Sequence, residues 1–119
     1  MRTEYYRTGH GTEPVREVLD GLAGKEHAVV ASKLLTLERE GARALTYQPL
    51  PKWLERIKGT DLEVYELRPG QMRIIFYVDR RMGCFVLLHA FRKQQQRQPN
   101  DIEQGLGNLL DYLGRQGRL

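Results

Sequence analysis

Six polar side chains between residues 66 and 93 are of the types that phosphate chemistry uses: Glu66, Arg68, Arg73, Tyr77, His89 and Lys93. Arginine presents a planar fork of donors that matches a phosphate, and lysine adds a compact point charge. A carboxylate, an imidazole or a phenol can take or return a proton. Gathered on one sheet face, such a set could bind RNA and cut it by attack of a 2′-hydroxyl on the neighbouring phosphate. That reaction needs a base at the hydroxyl, cations on the developing negative charge and an acid at the leaving 5′-oxygen. His89 and Glu66 are the candidate bases, and Tyr77 and Lys93 the candidate acids. The scheme requires no metal and no other cofactor.

Positioning these residues is the task of two hairpins. From Leu62 onward the apolar period is two, and Arg68-Pro69-Gly70-Gln71 has proline second and glycine third, as a type II turn requires. A two-residue loop would set Leu67 opposite Met72, Glu66 opposite Arg73 and Tyr65 opposite Ile74. One face then carries Tyr65, Leu67, Met72, Ile74, Phe76 and Val78, all suited to a core. The other carries Glu66, Arg68, Gln71, Arg73, Ile75 and Tyr77. A second reversal over Asp79 to Gly83 leads into a strand over Cys84 to Lys93. If Asp79 opposes Gly83, then Leu87, His89, Phe91 and Lys93 share the face of Tyr77. A bulge would exchange His89 and Lys93 for Ala90 and Arg92.

The remaining elements are helical, apart from a short strand over Arg2 to Arg7. Pro14 opens a helix whose Val15, Val18, Leu19 and Leu22 stack on one side, with Gly24 as its stop. Val30, Leu34 and Leu37 repeat at helical spacing over Lys25 to Glu40, and Gly41 follows as a C-cap. Residues 42–58 form a connection, with a helical turn around Trp53, Leu54 and Ile57. Pro99 opens a last helix with Ile102, Leu106, Leu109, Leu110 and Leu113 on one side, in which Gly105 and Gly107 each cost about 1 kcal/mol against alanine. The class is α+β: one domain over residues 1–119, an antiparallel sheet with helices over one face and a C-terminal helix.

Composition narrows the function. A chain of 119 residues with 40% hydrophobic and 29% charged residues fits one globular domain and excludes a multidomain enzyme. The net charge of +4 is unevenly placed: residues 68–97 hold seven basic side chains against Asp79 alone, leaving the rest of the chain acidic on balance. A phosphate-rich partner follows. Cys84 has no second cysteine to pair with, and His10, His27 and His89 match no metal-site spacing. No apolar run approaches the ~18 residues of a membrane helix, and no signal-peptide core precedes the domain, so a cytoplasmic protein is expected.

The segments Leu62-Glu63-Val64-Tyr65-Glu66-Leu67-Arg68, Met72-Arg73-Ile74-Ile75-Phe76-Tyr77 and Val86-Leu87-Leu88-His89-Ala90-Phe91-Arg92-Lys93, followed by Pro99 and the closing helix, resemble in order the phage-derived HigB-like branch of the RelE/ParE toxin superfamily. The resemblance covers nearly the whole chain. It implies the toxin of a type II toxin–antitoxin pair, cleaving mRNA on the translating ribosome and held inactive by a helix-turn-helix antitoxin. By matching position, the resemblance implies that Arg68, Arg73 and Lys93 are the candidates for binding and stabilising the scissile phosphate. Arg92 stands where the family usually has a first lysine, and Gln94 where a threonine is common.

Each assignment has a plainer counterpart. Glu66 and Arg73 facing each other make a cross-strand ion pair. His89 between Leu88 and Ala90 suits a half-buried histidine, and Tyr77 can pack against Phe91 or stack on a base. Arg80 and Arg81 at a hairpin tip, with Arg92 and Arg97, are candidate RNA contacts or solvated charges. Trp53 closes the core edge, and Cys84 is a small buried apolar side chain. Two other functions share the fold: a non-catalytic toxin that inhibits DNA gyrase, and a non-toxic phage-encoded accessory protein.

Overall fold

The computed structural model describes residues 1–94 and 99–119, so the expectation for Arg97 lies outside the described residues. The elements run β1 (Arg2–Tyr5), α1 (Pro14–Asp20), α2 (Gly24–Glu40), a 3₁₀ turn (Gly41–Thr46), β2 (Leu54–Arg56), β3 (Val64–Leu67), β4 (Met72–Asp79), β5 (Cys84–Arg92) and α3 (Pro99–Arg115). They form one five-stranded sheet in the order β1-β5-β4-β3-β2. All neighbours are antiparallel except β1, which runs parallel to β5 at the edge. No helix among the described residues is long and apolar enough to cross a membrane.

Local sequence explains the element ends. Pro14 starts α1 because its missing N–H costs nothing in a first turn. That helix ends one residue before Gly21 rather than running to Gly24, which instead begins α2. Gly41, with φ 63°, closes α2 and donates its N–H to the Leu37 carbonyl, as a C-cap glycine does. The expected helical turn at Trp53 is corrected: residues 54–56 form the edge strand β2, pairing Leu54 with Leu67 and Arg56 with Tyr65. Leu54 enters one core and Ile57 the other, which a strand followed by a bend achieves and a single helical face does not.

The first hairpin pairs Glu66 with Ile75 and Leu67 with Ile74, two residues away from the expected register. The turn is centred on Gly70 and Gln71, with the Met72 N–H donating to the Pro69 carbonyl at 3.1 Å. Gly70, φ 61°, takes the first central position; this is the glycine placement of a type II′ turn, whose twist matches that of the strands. A shift of two preserves every face. Tyr65, Leu67, Met72, Ile74, Phe76 and Val78 therefore do line one core, with Val15 and Leu19 of α1 and Val30 and Leu37 of α2 above them. Trp53 packs at its edge beneath Lys33, whose ammonium is 4.9 Å from the ring centroid.

The other face differs from the expected open one. The helix α3 lies across it, burying Ile75, Cys84, Val86 and Leu88 with Leu109 and Leu113. Its close seat depends on Gly105, where an added methyl would lie 3.0 Å from Ile75 Cγ2, whereas a methyl at Gly107 would meet nothing within 4 Å. Opposite outcomes are expected. Gly107→Ala raises stability by about 0.5–1 kcal/mol, and Gly105→Ala lowers it by about 1–3 kcal/mol through overpacking; denaturant melts of both variants check this.

At the far end α3 is tied down by Asp79, which is fully buried. Arg118 grips its carboxylate with two hydrogen bonds of 2.7 and 3.0 Å, and the Tyr112 hydroxyl and Met82 N–H add bonds of 2.7 and 3.0 Å. Burial opposes ionisation of Asp79, but these donors win and hold its carboxyl at about 2. Burial, reinforced by the same bond to Asp79, pushes the Tyr112 hydroxyl up to about 12. A carboxyl depressed in the folded state contributes stability that is complete above its ordinary value of about 3.9 and disappears as pH falls toward 2. Asp79→Asn is expected to cost ~2–3 kcal/mol at neutral pH and to flatten the stability profile between pH ~4 and ~2, measured by circular dichroism.

Candidate functional site

Beyond the N-terminal turns of α3 no described residue covers the sheet face, and there it turns from apolar to polar. A cleft of about 560 Å³ opens between β2, the ends of β3, β4 and β5, and Ile102 of α3. Glu66, Arg68, Arg73 and Lys93 all line it, joined by Glu55, Lys58 and Phe91. Among the described residues that line it, five are cationic and two are carboxylates, so their field favours an anion.

Glu66 sits on the floor, 8% exposed. Arg68 Nε donates to its Oε1 at 2.9 Å, while Arg73 Nε lies 3.9 Å from the same oxygen. The expected Glu66–Arg73 pair is therefore a diagonal contact, and Arg68 is the nearer partner. Burial pushes the Glu66 carboxyl above its ordinary range; the Arg73 charge pulls it down and Asp101 adds to the rise. A carboxyl shifted this way is a better proton acceptor at its working pH than an ordinary surface glutamate.

The cations differ in freedom. Arg73 Nη1 donates to the Gly70 and Met72 carbonyls at 2.9 and 2.7 Å, which fixes the guanidinium against the turn. Arg68 is shared between Glu66 and Glu55. Burial and the neighbouring Arg73 charge lower its affinity for its proton. Lys93 is exposed, anchored by its backbone N–H to the Gln71 carbonyl at 2.7 Å. Among the described residues neither Lys93 nor Lys58 has a carboxylate within ion-pair distance.

Other expected residues fall elsewhere. His89 is on the same face but does not line the cleft. Its Nε2 meets Asp101 Oδ1 at 2.8 Å, and its ring stacks on Phe91 at 5.6 Å and 23°. Tyr77 packs under α3, where burial raises its hydroxyl, and is not part of the cleft. Arg80 grips Glu63 with bonds of 2.6 and 2.9 Å, and Arg81 is exposed beside it at the hairpin tip, roughly 20 Å along β4 from Arg73. Arg92 projects to the opposite face and holds the Glu26 carboxylate of α2, with Nη2 to Oε1 at 2.8 Å. The set that converges is thus Glu66, Arg68, Arg73 and Lys93.

Glu55 and Lys58 were missed because β2 spans three residues, too few for a period to show. Arg56 borders the cleft but turns its guanidinium to the Leu62 carbonyl at 3.0 Å and over the Tyr65 ring at 5.2 Å. Phe91 was read only as packing, though it is the aromatic surface at the cleft wall.

A chain of the archaeal RelE–RelB complex from Pyrococcus horikoshii OT3 superposes with a TM-score of 0.52 at 20% identity, over 78% of this chain and 100% of that one. The fold is therefore RelE-like. No curated protein matches the sequence. The family profile described as "Phage derived protein Gp49-like" matches residues 17–105, which take in the end of α1, all of α2, four strands of the sheet, the first turns of α3 and every described residue lining the cleft, and the chain belongs to that Gp49-like phage-derived family.

Proposed function

We propose that the protein is the toxin of a type II toxin–antitoxin pair and that its cleft cleaves mRNA on the translating ribosome. The observation that carries this reading is the buried Glu66 carboxyl, raised by burial, beneath Arg68, Arg73 and Lys93, the last with no carboxylate partner among the described residues. In a 2′-hydroxyl attack, Glu66 takes the 2′ proton as the oxygen–phosphorus bond forms. Arg68 and Arg73 bear the charge that develops on the phosphoryl oxygens. The bond from phosphorus to the 5′-oxygen then breaks, and Lys93 gives that oxygen its proton. The products are a 2′,3′-cyclic phosphate and a 5′-hydroxyl. His89 acts behind Phe91, holding the ring at the cleft wall.

The cognate antitoxin, a helix-turn-helix protein on this reading, would neutralise the chain as RelB is paired with RelE in the similar archaeal complex. Inducible expression in a bacterium tests the proposal. Growth and pulse-labelled protein synthesis are expected to stop together within minutes, and coexpressed antitoxin restores both. Continued protein synthesis alongside a DNA-damage response would favour gyrase inhibition instead.

A further inference from the structure

The cleft depends on which way β5 turns its last side chains, and that is set by an irregularity in the middle of the strand. From the hairpin end, Asp79 pairs with Cys84 and Phe76 with Leu87; beyond that point Ile75 pairs with His89 and Arg73 with Phe91. Leu88 has no partner on β4, so it is the extra residue of a β-bulge. The extra residue restores to the α3 side the residues that an unbroken ladder would send to the α1–α2 side. Phe91 and Lys93 reach the cleft only because of it, and Arg92 is turned to Glu26 on the far face.

A bulge leaves backbone groups without ladder partners. Here the Leu88 carbonyl accepts a 2.8 Å hydrogen bond from Asn108 Nδ2, in the buried interface between β5 and α3. Asn108 is one of three buried polar residues in the described chain, 9% exposed. Its amide is oriented by Gln104, whose Nε2 donates to Asn108 Oδ1 at 3.0 Å, so the donor must face the strand. The close approach of α3 at Gly105, three residues earlier on the helix, brings Asn108 within reach. We infer that Asn108 is a positioning residue: its amide holds the Leu88 bulge and so sets the orientation that places Phe91 and Lys93 in the cleft and Arg92 outside it.

The functional part of this inference rests on the reading of the cleft as an RNA site; the structural part does not, and the test separates them. Asn108→Ala removes the donor, and Asn108→Asp keeps the shape while presenting an acceptor to an acceptor. Tyr112→Phe serves as the control, since it removes a hydrogen bond at the other end of α3. Backbone NOEs linking Ile75 to His89 and Arg73 to Phe91, amide exchange at residues 88–91 and affinity for a fluorescent single-stranded oligoribonucleotide are followed in the full chain. Both Asn108 variants are expected to weaken those NOEs, to speed exchange there at least ~10-fold more than elsewhere and to weaken RNA binding ~10-fold. Tyr112→Phe, at a similar loss of Tm, leaves all three unchanged. If the Asn108 variants keep the NOEs, exchange and affinity of the control, the inference is overturned. If the natural chain binds no RNA while the NOEs and exchange change as expected, Asn108 retains its role and the RNA reading falls.

Discussion

Glu66→Gln is expected to lower mRNA cleavage by about 10²–10⁴-fold, the usual contribution of a general base. The substitution removes proton acceptance but little of the architecture. Arg68 keeps its pairing with Glu55, and Arg73 keeps its two backbone carbonyls at 2.9 and 2.7 Å, so both guanidiniums stay in place. The folded fraction and RNA affinity should therefore change far less than the rate. The pH profile supplies a second reading of the same group. Burial raises the Glu66 carboxyl, so the acid limb of the cleavage profile should lie above the ~4.3 of an ordinary glutamate and vanish in the variant. A variant that cleaves at the natural rate would remove Glu66 from the mechanism and return His89 to consideration.

Lys93→Ala is the second large effect. Lys93 is exposed and its side chain has no ion-pair partner among the described residues, so stability should move by no more than ~0.5 kcal/mol. Cleavage should fall by about 10²–10³-fold, as when one donor to a developing oxyanion is removed. Lys93→Arg keeps the charge but replaces a compact ammonium by a fork. It should retain RNA affinity and lose more of the rate, because guanidinium is a poor proton donor. Quench-flow or single-turnover assays with each purified variant separate the two quantities.

The sequence carried the alternation of β3 and β4 clearly, because Tyr65, Leu67, Met72, Ile74, Phe76 and Val78 leave only one face for a core. A two-residue error in register did not disturb this, since side chains repeat with period two. Leu87, which precedes the bulge, lies on the face opposite to the expected one, in the core under α1 and α2 with its partner Phe76, whereas His89, Phe91 and Lys93 came out on the expected face by cancellation. Asp79 pairs with Cys84 rather than Gly83, which turns the strand over once, and the bulge at Leu88 turns it back. Nothing local announces that bulge, because Phe85, Val86, Leu87 and Leu88 are all buried, and four apolar residues in a row fit either face. Its hydrogen-bonding partner, Asn108, is twenty positions away.

The covering of the second face by α3 was hidden for a different reason. That face is divided along its length, with Ile75, Val86 and Leu88 under the helix and Arg73, Phe91 and Lys93 beyond it. Averaged along the strands it looks half polar and therefore open. Gly105 was counted as a weakness of the helix, yet it is where α3 meets Ile75 most closely. Arg92 illustrates the limit of reading charge alone: it contributes to the basic segment in sequence but is neutralised by Glu26 across the sheet from the cleft.

The most direct test of the central claim is primer extension on a defined mRNA in a purified translation reaction, with the natural chain and Lys93→Ala compared at equal concentration. Cleavage on the ribosome predicts cuts within the translated region that need both the ribosome and the natural chain, and a large loss of those cuts with Lys93→Ala. Intact mRNA with the natural chain, or the same cuts from the Lys93→Ala variant, would contradict it.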